Sequence, residues 1–291
     1  MTDAELAGTP EEQALADLAR VADRLATSWF LIGAGARVIL DGIRGVMTGR
    51  STRDWDIAVR AESWAEFENL IHELTKEGSP FWQGDCAHRL NHQSGCWIDV
   101  LPFGGIEGPE GKVVWRSDGR VMSVVAFVEC ESAVTIHPLA PGLEIRVATI
   151  PAQVILKAHA YYDRSEHGIT KDLKDLDHLL RYYGVAENED RCFELAAVPL
   201  GDQNIDWEHA GAWLLGFDVG RTFPPKLTDT VSRLAHALRT PYSDGTSVLA
   251  TARLGDDDEV ARKLINERYS AFALGLDAGV EEYRRSAALE N

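Results

Sequence analysis

Asp54-Trp55-Asp56 places two carboxylates at i and i+2 of a segment, Arg53 to Val59, whose alternation reads as a β-strand. Successive side chains of a strand point to opposite faces. Asp54, Asp56 and Ala58 then share one face, and Trp55, Ile57 and Val59 share the other. At about 3.3 Å of rise per residue the two acids stand roughly 6–7 Å apart. Oxygen ligands at that spacing grip hard divalent cations, which also take phosphate oxygens and water. Two cations about 3.5–4 Å apart stabilise both the attacking and the leaving oxygen of an in-line phosphoryl displacement. A third acid, Asp99, interrupts the apolar run Cys96-Trp97-Ile98-Asp99-Val100-Leu101. A charge there is costly unless it is paired or metal-bound. The plain alternatives are two surface acids on an edge strand and a salt-bridged core aspartate.

Gly33-Ala34-Gly35 follows the buried strand expected at Trp29-Phe30-Leu31-Ile32 and precedes a helix expected over about 35–44. Glycines in such a turn let backbone N–H groups approach a phosphate, and the helix N-terminus adds a favourable dipole. A dinucleotide-binding fingerprint is not met, because Val38 stands where GxGxxG has its third glycine. The turn also reads as a plain strand-to-helix connection. Lys157 falls in a helix expected from near Thr149, on the face of Val154, Ala158 and Tyr161. A lysine on an apolar stripe either reaches into a cleft to bind phosphate or snorkels to the surface. Asp172 and Asp175, at the start of the following helix, either orient Lys157 or favour that helix N-terminus electrostatically, the second being the simpler reading.

The elements that must position these residues can be read in outline. Thr9-Pro10-Glu11-Glu12 signals a capped first helix with Leu15, Leu18, Ala22 and Leu25 at helical spacing. Ser63 with Glu66 opens another, carrying Trp64, Phe67, Leu70, Ile71 and Leu74. Cys96 to Pro102 reads as a strand, and Val113 to Val147 as a β-rich stretch with a hairpin turn at Ala140-Pro141-Gly142. Beyond Thr149 nearly everything reads as helix, which places a domain boundary near residue 148 and gives domains 1–148 and 149–291. With 291 residues, 45% of them hydrophobic, the chain can bury a sizeable core.

No apolar run approaches the roughly 18–20 residues of a membrane span, and the acidic, polar N-terminus is unlike a secretory signal. The scattered Cys86, Cys96, Cys130 and Cys192 suggest neither a disulfide framework nor a CxxC metal site. These features lead to the expectation of a cytoplasmic protein without a membrane partner. A net charge of -17 disfavours broad binding to nucleic acid. It leaves room for a small basic cleft. Arg37, Arg44, Arg50 and Arg53 form one basic group, and Lys112, Arg116 and Arg120 a second; either is a cleft wall or solvated surface.

Taken together, Gly33-x-Gly35-x-Arg37, Thr52-Arg53-Asp54-Trp55-Asp56-Ile57-Ala58 and Ile98-Asp99-Val100-Leu101-Pro102-Phe103-Gly104-Gly105 resemble the AbiEii/MenT-type nucleotidyltransferases. Those are polymerase-β-like enzymes, many of them toxins of toxin–antitoxin pairs. Leu156-Lys157, Asp163-Arg164 and Lys171-Asp172-x-x-Asp175 extend the likeness over roughly residues 29–185. The resemblance implies an α/β (α+β) fold: a polymerase-β-like nucleotidyltransferase domain with a mixed sheet, followed by a helical C-terminal domain. It makes Gly33, Ala34 and Gly35 a phosphate-binding turn, with Arg37 and Arg53 as further nucleotide contacts. Asp54, Asp56 and Asp99 become catalytic ligands for Mg²⁺ or Mn²⁺, and Lys157 a contact to the nucleotide phosphates.

The implied activity is transfer of a nucleoside monophosphate from a nucleoside triphosphate (NTP) to an acceptor hydroxyl, releasing pyrophosphate. An RNA end, such as the 3′ end of transfer RNA, is one acceptor, with an antitoxin protein as partner. A small-molecule or protein acceptor, and a non-catalytic nucleotide-binding relative, are the alternatives. A nucleotide-sugar glycosyltransferase would share the paired acids but leave the glycine turn and Asp99 unexplained. A haloacid-dehalogenase-like phosphatase would place an apolar strand before them, where this chain has Ser51-Thr52-Arg53. Two departures from the family pattern stand out. Ala34 lacks the hydroxyl of the superfamily's frequent Gly-Ser turn, and Asp163 lies six residues after Lys157.

Overall fold

Thr9 caps the first helix, α1 (Pro10–Arg24), by accepting the Glu12 amide at 3.1 Å, and Pro10 suits the first helical position. The expected capping box closes one residue early: the Glu12 carboxylate accepts from the Gly8 amide. Leu15, Leu18 and Ala22 form the buried stripe of α1. The computed structural model describes residues 8–46, 54–164, 171–239 and 259–289. The chain divides into two compact units, Met1–Thr149 and Ile150–Asn291.

In the first unit α1 is followed by β1 (Trp29–Ile32), α2 (Gly33–Ile43), β2 (Asp54–Arg60), α3 (Trp64–Thr75), β3 (Phe81–Gln83), β4 (Arg89–His92) and β5 (Trp97–Phe103). Then come β6 (Lys112–Val114), β7 (Val121–Ser123), α4 (Phe127–Glu131), β8 (Val134–Ala140) and β9 (Leu143–Ala148). Seven strands form one sheet in the order β3-β4-β5-β2-β1-β9-β8, and β6 pairs with β7 alone. β2 runs parallel to β5 and β1 parallel to β9, while the other neighbours are antiparallel. The sheet is therefore mixed, as expected. The stretch from Val113 to Val147 is less uniformly β than its sequence suggests, because Phe127–Glu131 turns into a short helix. Pro141 and Gly142 make the β8–β9 turn, with Gly142 at φ +75°, a conformation glycine adopts without strain.

Strand alternation sorts the sheet into two faces. His92 on β4 bonds Asp17 of α1 through Nε2 at 3.0 Å, so α1 covers the face of Leu90 and His92. Arg89 of β4, Asp99 of β5 and Asp56 of β2 take the alternate positions and share the opposite face. Further along that face Phe30 and Phe103 meet edge to face at 5.7 Å, and Phe103 meets Phe127 at 5.9 Å. The acids thus lie at one end of a face whose other end is apolar.

The second unit is helical: α5 (Ile150–Arg164), α6 (Lys171–Tyr182), α7 (Glu189–Leu195), α8 (Ala197–Asp202), α9 (Ala210–Thr222), α10 (Pro225–Arg239) and α11 (Glu259–Leu289). Its closest packing is between α9 and α11. Gly216 and Gly220 on α9 face the α11 backbone at Phe272 and Leu276, and Gly275 and Gly279 on α11 face the α9 backbone at Trp213 and Phe217. A Cβ at any of the four would overlap a carbonyl oxygen of the partner helix. Small residues spaced by four let two backbones touch, which no larger side chain permits.

Gly275→Ala should therefore lower the urea unfolding midpoint, by about 1–3 kcal/mol of stability as for other overpacked sites. Gly201→Ala on α8, where a Cβ meets nothing within 4 Å, should be neutral or slightly stabilising. Equal effects at the two positions would show that the helix crossing is looser than described.

Candidate functional site

The site is built on a row of registered residues. Ile32 of β1 pairs with Asp56 of β2, Asp56 with Asp99 of β5, and Asp99 with Arg89 of β4. Asp54 opens β2 with its backbone in register with Trp97, and its side chain lies outside the described part of the structure. Asp56 is half-buried.

Immediately after Ile32 the chain turns at Gly33, with φ +66°. A Cβ on Gly33 would overlap Asp56 Oδ2 and stand 3.0 Å from its Cγ. Gly35 is equally constrained, since a Cβ there would lie 2.7 Å from the Trp55 ring. The helix was expected from about Gly35; it instead begins at Gly33, so that Gly33, Ala34 and Gly35 form its first turn. The physical reason is that Gly33 completes the change of direction in one residue. Ile32, the N-cap, offers no side-chain hydrogen bond to the first turn of α2. The amides of that turn therefore begin beside the Asp56 carboxylate.

Asp99 is 7% exposed and held by Arg89 in a two-pronged pair, Nε to Oδ1 and Nη2 to Oδ2, each 2.8 Å. The salt-bridged alternative for Asp99 is thus present in the structure, and it does not exclude the chemical one. His88 Nε2 stands 4.0 Å from Asp99 Oδ2. Burial pushes the His88 imidazole below its ordinary pKa against the opposing pull of Asp99, so near neutral pH it is uncharged. Arg89 also lies over the Trp97 ring, 5.7 Å from its centroid. Arg89 was not singled out in the sequence. The signal was available in Arg89-Leu90-Asn91-His92, a short alternating run separated from Cys96 by a turn at Gly95. Pairing Leu90 with Ile98 brings Arg89 opposite Asp99.

The basic groups are distributed differently from the cleft reading. Arg37 is 5% exposed and bonded to Asp41 Oδ2 at 3.0 Å within α2, with its Nε buried and without a hydrogen bond. It is neither a solvated arginine nor part of an open basic wall. Arg50 and Arg53 lie outside the described residues. Lys112, Arg116 and Arg120 pair on the surface with Glu110 at 2.8 Å, Glu68 at 3.3 Å and Asp118 at 3.6 Å.

In the helical unit, Lys157 Nζ bonds Asp175 Oδ2 at 2.6 Å and Asp172 Oδ1 at 3.4 Å. The lysine side chain is 13% exposed, and Arg164 reaches Asp172 at 2.7 Å. The simpler reading of Asp172 and Asp175, as helix-start charges alone, is corrected: both orient Lys157. They do so because α5 and α6 pack side by side. Asp163 is exposed and belongs to none of these pairs.

Among the described residues no group of three His, Cys, Asp or Glu side chains gathers as a metal site. Asp56 and Asp99 supply hard oxygen donors on one face of adjacent strands, which suits Mg²⁺ or Mn²⁺. Arg89 already places a cation on one of them. A separate cavity of about 340 Å³ opens at the other end of β1 and β2, between Ser28, Arg60, Glu62 and Leu70. It includes none of the candidate catalytic, metal-binding or nucleotide-binding residues named from the sequence.

No protein-family model matches the chain, and no match emerged among characterised proteins. Solved structures similar to it include the antibiotic-resistance factor ANT(2'')-Ia, at 14% identity and a TM-score of 0.36, covering 67% of this chain and 96% of that one. Another is the CD-NTase CdnG of Bradyrhizobium diazoefficiens in complex with GTP, at 12% identity and a TM-score of 0.24, covering 91% of this chain and 86% of that one. Likenesses this distant carry no argument about activity.

Gly33→Ala tests the close approach to Asp56. Both Gly33 and Gly45 have positive φ, +66° and +71°, but a Cβ at Gly45 meets nothing within 4 Å. Each substitution should carry the ~1–2 kcal/mol cost of a left-handed alanine. Gly33→Ala should cost about 1 kcal/mol or more beyond that, because Asp56 must move. Equal urea midpoints for the two variants would remove the constraint.

Proposed function

We propose that this chain is a metal-dependent nucleotidyltransferase of the polymerase-β-like kind. It would move a nucleoside monophosphate from an NTP to an acceptor hydroxyl and release pyrophosphate. The observation that carries this reading is the apposition of Gly33, at the start of α2, to the Asp56 carboxylate, with Asp99 in register on the same face. A phosphate-binding helix start beside paired carboxylates is what an NTP-and-metal substrate requires.

In this reading Asp54 and Asp56 hold the triphosphate-bound cation, and Asp99 contributes to a second. The bound cations would neutralise the triphosphate and stabilise the charge that builds on the reacting oxygens. The amides at Gly33, Ala34 and Gly35 bind phosphate oxygens, and the missing Cβ at Gly33 lets that turn lie directly against the Asp56 carboxylate. Arg53 and the buried Arg37 stand as further nucleotide contacts. Lys157 enters as a phosphate contact only by sharing its charge with Asp172 and Asp175. Asp99 accepts a proton from the acceptor hydroxyl only if Arg89 frees one of its oxygens.

Asp54→Asn and Asp56→Asn should each lower Mg²⁺-dependent pyrophosphate release by ~10²–10³-fold, as loss of a main charge-stabilising group does elsewhere. The variants should remain folded by circular dichroism, and a chelator should abolish the wild-type rate. Near-normal rates in either variant would sink the assignment. Triphosphate binding with no release under any condition would leave only a nucleotide-binding relative.

An RNA end, with the chain as toxin and an antitoxin as partner, is the acceptor that the resemblance favours. A second reading, a small-molecule hydroxyl, is favoured by the charge pattern. Arg37 is buried against Asp41, and Lys112, Arg116 and Arg120 are each paired with an acid. Among the described residues these four form no open basic wall, and a net charge of -17 disfavours broad contact with RNA phosphates. Incubation with α-³²P-labelled NTP and fractionated cell extract separates the readings. Label in small metabolites supports the second. Label in RNA, weakened by salt and by Arg50→Ala or Arg53→Ala, supports the first.

A further inference from the structure

We propose that Arg89 competes with a divalent cation for Asp99, so that the third carboxylate is held by arginine until the metal-bound nucleotide displaces it. The proposal rests on the metal-dependent reading above. Its evidence is the geometry of the pair. The guanidinium fork engages both oxygens of Asp99, at 2.8 Å each, and leaves neither for undivided use by another ligand. The Asp99 side chain is 10% exposed, so a bare carboxylate there would lack solvent. Some cation must stand on it at all times. His88 Nε2, 4.0 Å from Asp99 Oδ2, is beyond hydrogen-bond reach.

The two partners differ in where they can go. Asp99 is fixed in the interior of β5 by strands on both sides. The Arg89 side chain is 30% exposed and already lies over the Trp97 ring, 5.7 Å from its centroid. On release it finds water and an aromatic face, both favourable to a guanidinium. A divalent ion held by Asp56 and Asp99 would sit close to the guanidinium in partly buried surroundings. Like charges repel strongly there. Metal and arginine are then mutually exclusive, or nearly so, on one carboxylate. Arg89 is accordingly a positioning residue: it acts on the site through Asp99. It would keep the apo site folded and tie the readiness of Asp99 to arrival of the metal.

Mn²⁺ is the probe, because its free form gives a paramagnetic resonance signal that is lost on binding. Titrations of the full chain with and without a non-hydrolysable triphosphate should show Arg89→Gln binding Mn²⁺ more tightly than wild type. The gain should be on the order of tenfold, the size of a typical coupling between competing ligands. Arg89→Lys keeps the charge but loses the fork, so it should gain less. The gain should vanish in Arg89→Gln with Asp99→Asn, since the coupling runs through that carboxylate. Mn²⁺ should also raise the melting temperature of Arg89→Gln more than that of wild type.

Wild-type binding with no gain, or a loss, in Arg89→Gln overturns the competition and leaves the nucleotidyltransferase reading standing. If Arg89→Gln does not fold, Arg89→Lys decides by the same comparison. Failure of the folded wild type to bind Mn²⁺, even with the triphosphate analogue, overturns both.

Discussion

The absence of a side chain at Gly33 is the constraint on which the candidate site depends. β1 ends at Ile32, whose partner across the antiparallel ladder is Asp56. The next residue turns so tightly that its Cα faces the Asp56 carboxylate without room for a methyl group. This contact couples three choices: where β1 stops, where α2 begins and how β2 is registered. A slip of one residue between β1 and β2 would send Asp56 to the face covered by α1. It would also withdraw Asp99, which is aligned with Asp56 through the parallel β2–β5 pairing. Local turn chemistry and long-range strand register are therefore one requirement at this point.

Buried aspartates elsewhere follow a common rule with a different outcome. Asp218, 3% exposed, receives Tyr183, a two-pronged Arg191 and Arg221. Burial alone would raise its pKa, but the hydrogen bonds from Arg191 and Tyr183 outweigh it and hold the carboxyl below its ordinary value. That contribution to stability is present at neutral pH and fades as pH falls through the lowered pKa. Asp172 and Asp175 likewise face Lys157 and Arg164. These networks fix helix orientation, and isolated buried pairs are weak evidence for net stability. The Asp99–Arg89 pair shares their chemistry but stands beside a second carboxylate and the start of α2, which is the setting of the proposed site.

The outline of the molecule was legible because periodicity and capping are local. The cap at Thr9, the cap at Ser63, the β1 run and the Pro141-Gly142 turn can all be read from a few neighbouring residues. The mixed sheet followed by helices agrees with the fold class drawn from the resemblance. The partners of charged residues were less legible, because they depend on pairing across distance. Asp99 could be seen as an anomaly within its strand, whereas Arg89 becomes its partner only once β4 is laid against β5. Arg37 looked available in a basic stretch, yet helical spacing brings Asp41 against it and packing buries both. Lys157 stands out in the sequence as a lysine on an apolar stripe. Asp172 and Asp175 of the next helix were open to two readings in the sequence, and the α5–α6 packing brings both to its Nζ.

The setting of the acids also bears on how strongly they could act. Along their own face the sheet becomes apolar within two residues, at Ala58 and Leu101, and then reaches Phe30 and Phe103. On the opposite face Trp55, Ile57, Ile98 and Val100 are all buried. Asp56 and Asp99 are therefore set in a body of low polarizability, beside the point where α2 begins. Fields from fixed charges decay less there than in water. A cation or phosphate entering would be felt by both carboxylates and by Arg89 at once. The same property makes an unpaired Asp99 expensive, which is why a partner must be present before any ligand arrives. Tight control of the third acid and strong electrostatic action by it follow from one feature, a carboxylate built into the interior of a parallel strand pair.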